Sequence, residues 1–152
     1  MSNDLKFKIS HKITDDNSSN FTIKPLDRGY GITGGNSLRR ALLTAVPGAA
    51  ITNVKIDGAH HEFSTIDGVK EDVADIIMNL KGVRFHLFES KVEPIFLKVK
   101  GPKAFTAADI QAVSDDFTIL NSNHHITDVA KGTTLEVELR LGIGKGYKSS
   151  EE

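Results

Sequence analysis

Gly29, Gly31 and Gly34 spell G-x-G-x-x-G inside RGYGITGGNSLRRALLTAVPG, residues 28–48. That spacing lets a backbone turn close on a pyrophosphate ahead of a helix N-terminus, the chemistry of a nucleotide-binding enzyme. Two of its requirements are unmet. The approaching segment FTIKPLDR has Pro25 where a central strand needs an N–H donor, and Asp27 sets a carboxylate just before the turn. Asp57, at the end of the strand-like run ITNVKID, does stand near the place of a ribose-binding acid.

The same stretch also reads as a helix made for protein docking. Asn36 can cap it through its side-chain oxygen, and Leu38, Ala41, Leu42 and Ala45 recur at i, i+3, i+4 and i+7 to form one apolar stripe. Leu43 and Val46 widen that arc, so the helix is expected to pack against two neighbours, one of them another chain. Arg39 and Arg40 leave the stripe, and Pro47-Gly48 ends the helix.

Other chemistry-bearing residues are sparse. His60-His61 with Glu62, and His124-His125 with Asp128, are metal-ligand types, but adjacent strand residues point to opposite faces, so one doublet cannot chelate through both rings. A metal site would need the two doublets to meet, and none is assigned. Ser64-Thr65 precedes a helix, where hydroxyls cap. Gly142, Gly144 and Gly146 read as a mobile strand exit. No activated nucleophile is evident, and no catalytic or cofactor-binding residue is assigned.

Strands must supply most of the frame for these residues. Leu5, Phe7, Ile9, His11 and Ile13 alternate with polar residues, as do Val83, Phe85 and Leu87, then Ile95, Leu97 and Val99, then Leu135, Val137, Leu139 and Leu141. Half-buried antiparallel strands follow from this pattern, with residues 15–20 (DDNSSN) turning between the first two. The longest helix is expected near GVKEDVADIIMNLKG, with Val69, Val73, Ile76, Ile77 and Leu80 on one face, Asp67 as cap and Gly82 as stop. Lys70, Glu71, Asp72 and Asp75 then form its solvated side. A short helix through TAADIQAV begins at Thr106.

Composition sets bounds. The 152 residues include no cysteine, which removes disulfides and thiolate metal sites. The net charge is -1, with seven Lys/Arg against four Asp/Glu in residues 1–48 and twelve against sixteen in the rest, which argues against a broad nucleic-acid face. No apolar run is long enough to span a membrane, and MSNDLKFKIS lacks a signal peptide's apolar block, so a soluble, cytoplasmic chain is expected.

The ordered series FTIKPLDRGYGITGGNSLRRALLTAVPG, VKIDGAHHEFSTIDGVKEDVADIIMNLKG, TAADI and LRLGIGKGY closely resembles the N-terminal domain of the bacterial RNA polymerase alpha-subunit family, from about Phe21 to Tyr147. The resemblance implies an α+β fold: a dimerisation half over residues 1–47 and an inserted strand-rich domain over 48–152. It also implies a noncatalytic assembly subunit within a nucleotidyltransferase complex. Its partners would be a second alpha subunit and the beta and beta-prime subunits. Carried across by position, Arg40 and Leu43 dock the large subunits, and Ser64, Thr65, Gly68, Val69, Glu71 and Asp72 face the beta subunit. Lys81 adds a basic contact, while Leu38, Ala41, Leu42 and Ala45 lie on the dimerisation helix.

Two departures stand out. Gly34 replaces the leucine usual in the family's T-L-G-N turn, which implies a looser start to the helix. The family pattern also runs on past Glu152 into the returning half of the dimerisation domain, a linker and a DNA-binding domain. The sequence is therefore expected to be a truncated piece with no direct DNA contact of its own.

Overall fold

A computed structural model describes residues 7–15, 18–88 and 93–149. The chain divides into two units, Met1–Val46 and Pro47–Glu152. The fold is α+β, with three helices and antiparallel sheets among the described residues.

In the first unit, β1 (Lys8–Asp15) and β2 (Ser18–Lys24) pair as an antiparallel hairpin, with His11 opposite Phe21 and Asp15 opposite Ser18. The His11 and Phe21 rings stack at 4.6 Å. Leu5 of the expected alternation and Asp16 and Asn17 of the expected turn lie outside the described residues, while Asp15 and residues 18–20, read as part of that turn, belong to the strands. The alternation correctly marks a strand, but not a half-buried one: Ile9, Ile13 and Phe21 are 60%, 69% and 66% exposed. A two-stranded ribbon has no second layer on which to bury an apolar face.

The helix α1 spans Tyr30–Ala45 and so begins well before Asn36, the cap that the sequence pattern implies. Asn36 is not its cap. The chain turns at Gly29, whose φ of 90° lies in the left-handed region that glycine tolerates, and the Tyr30 N–H donates to the Asp27 carbonyl at 3.1 Å. Gly31, Gly34 and Gly35 are therefore helical residues. A pyrophosphate-cradling turn does not form at Gly29, Gly31 and Gly34, and the nucleotide-binding reading loses its geometry. Each internal glycine weakens a helix by about 1 kcal/mol relative to alanine. Yet α1 buries none of its residues.

The second unit is built on β3 (Pro47–Ile56), β4 (Phe85–Leu87), β5 (Ile95–Lys100), β7 (Phe117–Ile119) and β9 (Thr134–Lys145). These form one antiparallel sheet in the order β5-β9-β3-β4-β7. A separate ladder joins β6 (Lys103–Thr106) to β8 (His125–Val129). Along β5, Ile95, Leu97 and Val99 face inward while Phe96, Lys98 and Lys100 face out, the alternation the sequence displays. Leu135, Val137 and Leu139 of β9 meet them in the core.

Two helices complete this core. The helix α2 (Val73–Lys81) contributes Val73, Ile76 and Leu80, and α3 (Ala107–Gln111) contributes Ala107 and Ile110. Phe105, Phe117 and Ile126 join them, Phe117 lying edge-on to Phe85 at 5.5 Å. Burial of each such side chain stabilises the unit by about 1.5–3 kcal/mol before entropy is charged against it. Thr106 precedes α3 as expected, its N–H donating to Asp109 Oδ2 at 3.0 Å.

The start of α2 differs from expectation. Asp72, not Asp67, is the cap, its Oδ1 accepting the Asp75 N–H at 2.8 Å, while Gly82 does close the helix. Val69 lies outside the helix in an isolated bridge to Val129. Gly142 and Gly144 belong to β9, paired with Ala50 and Gly48, so the strand continues through the segment read as a mobile exit. Among the described residues, no helix is long and apolar enough to cross a membrane.

Candidate functional site

Each unit holds its own group of candidate interface residues. On α1, Leu38, Leu42 and Leu43 are 53%, 65% and 62% exposed, and Ala41, Ala45, Arg39 and Arg40 are exposed beside them. The helix satisfies its small polar residues internally: Ser37 Oγ donates to the Thr33 carbonyl at 2.9 Å and Thr44 Oγ1 to that of Arg40 at 2.8 Å. Among the described residues, neither Arg39 nor Arg40 has an ion-pair partner. The result is an uncovered apolar stripe flanked by two unpaired guanidinium groups, a composition suited to a partner that supplies apolar surface and carboxylates.

In the second unit, the connection between β3 and α2 carries Ser64, Thr65, Gly68, Val69, Glu71 and Asp72. Most of these residues shape the connection itself. Ser64 does not cap a helix; its hydroxyl donates to the His61 carbonyl at 2.5 Å, and its own carbonyl accepts the Val73 N–H at 3.1 Å. Gly68 has φ 76°, and a Cβ there would lie 1.9 Å from Thr133 Oγ1, so the position needs glycine on two counts. The Gly68 carbonyl accepts the Ala130 N–H at 2.7 Å, and the Lys70 N–H donates to the Asp128 carbonyl at 3.0 Å, a strand-like seam along β8. Thr65 stays exposed, as does Lys81 in the last turn of α2, where a cation favours the helix dipole.

Glu71 is not on a solvated helix face. Its Oε2 accepts from Thr127 Oγ1 at 2.7 Å and from the Asp128 N–H at 2.9 Å. Asp128 is bonded in turn to His125 Nε2 at 3.2 Å and Lys70 Nζ at 3.3 Å. Partial burial pushes the Glu71 carboxyl up, but the bonds from Thr127 and the Asp128 N–H outweigh it and leave the group below its ordinary value of 4.5. The His125 bond, then the Lys70 bond, likewise hold Asp128 below 3.8. Both shifts are downward, so the stability they supply is complete above the ordinary carboxylate range and is lost as pH falls through the lowered values. Urea denaturation between about pH 6 and pH 3 should therefore show the Pro47–Glu152 unit weakening towards acid, with a flatter slope for Glu71→Gln. An unchanged slope in that variant would remove Glu71 from the acid-sensitive set.

Among the described residues, one group of three metal-ligand types comes together, Glu71, His125 and Asp128, with candidate ligand atoms within 4.8 Å of one another. Glu71 Oε2 is already engaged by Thr127 and the Asp128 N–H, and the two Asp128 oxygens by His125 and Lys70. His60 and His61 are not in this group, so the two histidine doublets do not converge on it. His124 instead bonds the Asn79 carbonyl at 2.8 Å, at the end of α2. Phe63, 78% exposed, was not singled out from the sequence, although an aromatic between charged and hydroxyl residues in HHEFST marked it.

Comparison with known proteins gives these surfaces a context. The family model described as the RNA polymerase Rpb3/RpoA insert domain matches residues 54–152. A protein of Chloroherpeton thalassium named DNA-directed RNA polymerase subunit alpha is 48% identical over 132 residues, which covers 87% of this chain and 40% of that protein. Its namesake in Salinibacter ruber is 50% identical over 137 residues, covering 90% and 42%. That of Limosilactobacillus reuteri is 49% identical over 143 residues, covering 93% and 45%. The chain thus spans less than half the length of these relatives.

Proposed function

Because the chain belongs to the RNA polymerase Rpb3/RpoA insert-domain family, we propose that it works as an alpha-type assembly subunit of bacterial DNA-directed RNA polymerase, noncatalytic and cytoplasmic. Residues 1–47 act as half of a dimerisation domain, with the Leu38, Ala41, Leu42 and Ala45 stripe meeting a second alpha chain. Arg40 and Leu43 dock the large subunits. The 64–72 block turns towards the beta subunit, and Lys81 adds a basic contact. Within this reading, residues 48–152 form the inserted domain, and promoter DNA is not touched by these residues.

The single observation that carries the reading is the uncovered stripe of α1, which buries none of its residues. A 16-residue helix with three internal glycines gains little stability alone, so its amphipathic face calls for a partner. A helix face can be self-complementary across a twofold axis, which supports a second copy as that partner. Sedimentation of the chain at micromolar concentration is expected to show a dimer. Leu42→Glu should shift it to monomer while the Pro47–Glu152 unit melts unchanged, because that unit is a separate one. A wild-type monomer, or a dimer indifferent to the glutamate, would overturn the pairing.

A further inference from the structure

The block assigned to the beta subunit contains two kinds of residue, those that face outward and those used up in holding the block in place. Gly68, Val69 and Lys70 form the seam to β8, Asp72 caps α2, and the Ser64 carbonyl receives the Val73 N–H. Glu71 closes the seam by accepting two hydrogen bonds on one oxygen, from Thr127 Oγ1 and from the Asp128 N–H. Thr127 has no exposed surface, so no docking partner can reach it. The outward rim is residues 60–63 with Thr65, where Phe63 is 78% exposed. An exposed aromatic beside a segment held by internal hydrogen bonds has the make-up of an interface anchor.

The geometry points to Glu71 as a positioning residue for docking: it fastens the 57–72 connection to β8 and so presents Phe63 to the beta subunit, rather than meeting that subunit itself. This inference rests on the docking reading above. A carboxylate that made its own ion pair with the partner would be needed for its charge. One that accepts two internal hydrogen bonds is needed for its oxygen, which an amide also supplies.

The test measures binding of the chain to immobilised beta subunit alongside hydrogen exchange of the 57–72 amides. Glu71→Gln keeps the acceptor oxygen and should bind within about threefold of the wild type. Glu71→Ala should lose about tenfold or more, and Thr127→Val should lose affinity too, the double variant falling no further than the worse single one. Both should speed exchange across 57–72. Phe63→Ala should lose binding with exchange unchanged. Glu71→Gln as damaging as Glu71→Ala, with Thr127→Val silent, would make Glu71 a direct contact and overturn the inference. Full binding by Phe63→Ala would overturn the role given to that ring. If the wild type does not bind the beta subunit at all, the docking reading itself fails, and the exchange data still report whether Glu71 holds the connection.

Discussion

Phe105→Ala is expected to lower the unfolding free energy of the Pro47–Glu152 unit by about 3–5 kcal/mol, a large share of what a small domain possesses. Phe105 has no exposed surface, sits on β6 opposite Thr127 of β8, and lies in the core with Ile110, Phe117 and Ile126. Truncation there removes the ring's transfer free energy and leaves a cavity between rigid neighbours. Phe96 on β5 is the internal control, because it faces outward and is 68% exposed. Phe96→Ala should cost no more than about 1 kcal/mol. Urea midpoints for the two variants decide the matter; equal shifts would contradict the inward and outward faces assigned to β5 and β6.

The second large effect is on assembly. Arg40→Ala is expected to weaken capture of the beta subunit by about 1–3 kcal/mol, the range for an interface anchor. Alanine is at least as good a helix former as arginine, and Arg40 has no ion-pair partner among the described residues, so the substitution leaves α1 intact. A loss of binding would therefore report a contact rather than a damaged helix. Arg40→Lys should restore only part of it, since an ammonium lacks the planar fork that pairs with a carboxylate. Capture by Arg40→Ala equal to that of the wild type would remove Arg40 from the docking surface.

Elements with a strong contrast between core and solvent were legible in the sequence. The strict alternation of β5 and β9 and the Val73, Ile76 and Leu80 face of α2 each reproduce the observed burial. The short strands β6, β7 and β8 left no comparable trace. In β8 the successive residues Ile126 and Thr127 are both buried, which breaks any period of two. The start of α1 was hidden by its glycines, which signal a turn locally but are carried inside the helix here.

The candidate site divides in the same way. Arg40, Leu42 and Leu43 are exposed on α1, as every residue of that helix is, including the apolar stripe whose spacing implied packing. Glu71 looked like part of a solvated helix face because its partner Thr127 lies 56 residues downstream. Such a bond is created by topology, through the seam that brings residues 68–71 against β8, and no local pattern encodes it. The role of Phe63 follows from the same seam, since only the fixed connection shows which side chain is left outside.

The proposed assembly role is tested most directly by binding of this chain to purified RNA polymerase beta subunit, with an intact alpha subunit from one of the relatives as competitor. A saturable complex at micromolar concentration, containing a dimer of this chain and displaced by the intact alpha subunit, is expected. A beta subunit that binds the intact alpha subunit but leaves this chain free under the same conditions would contradict it.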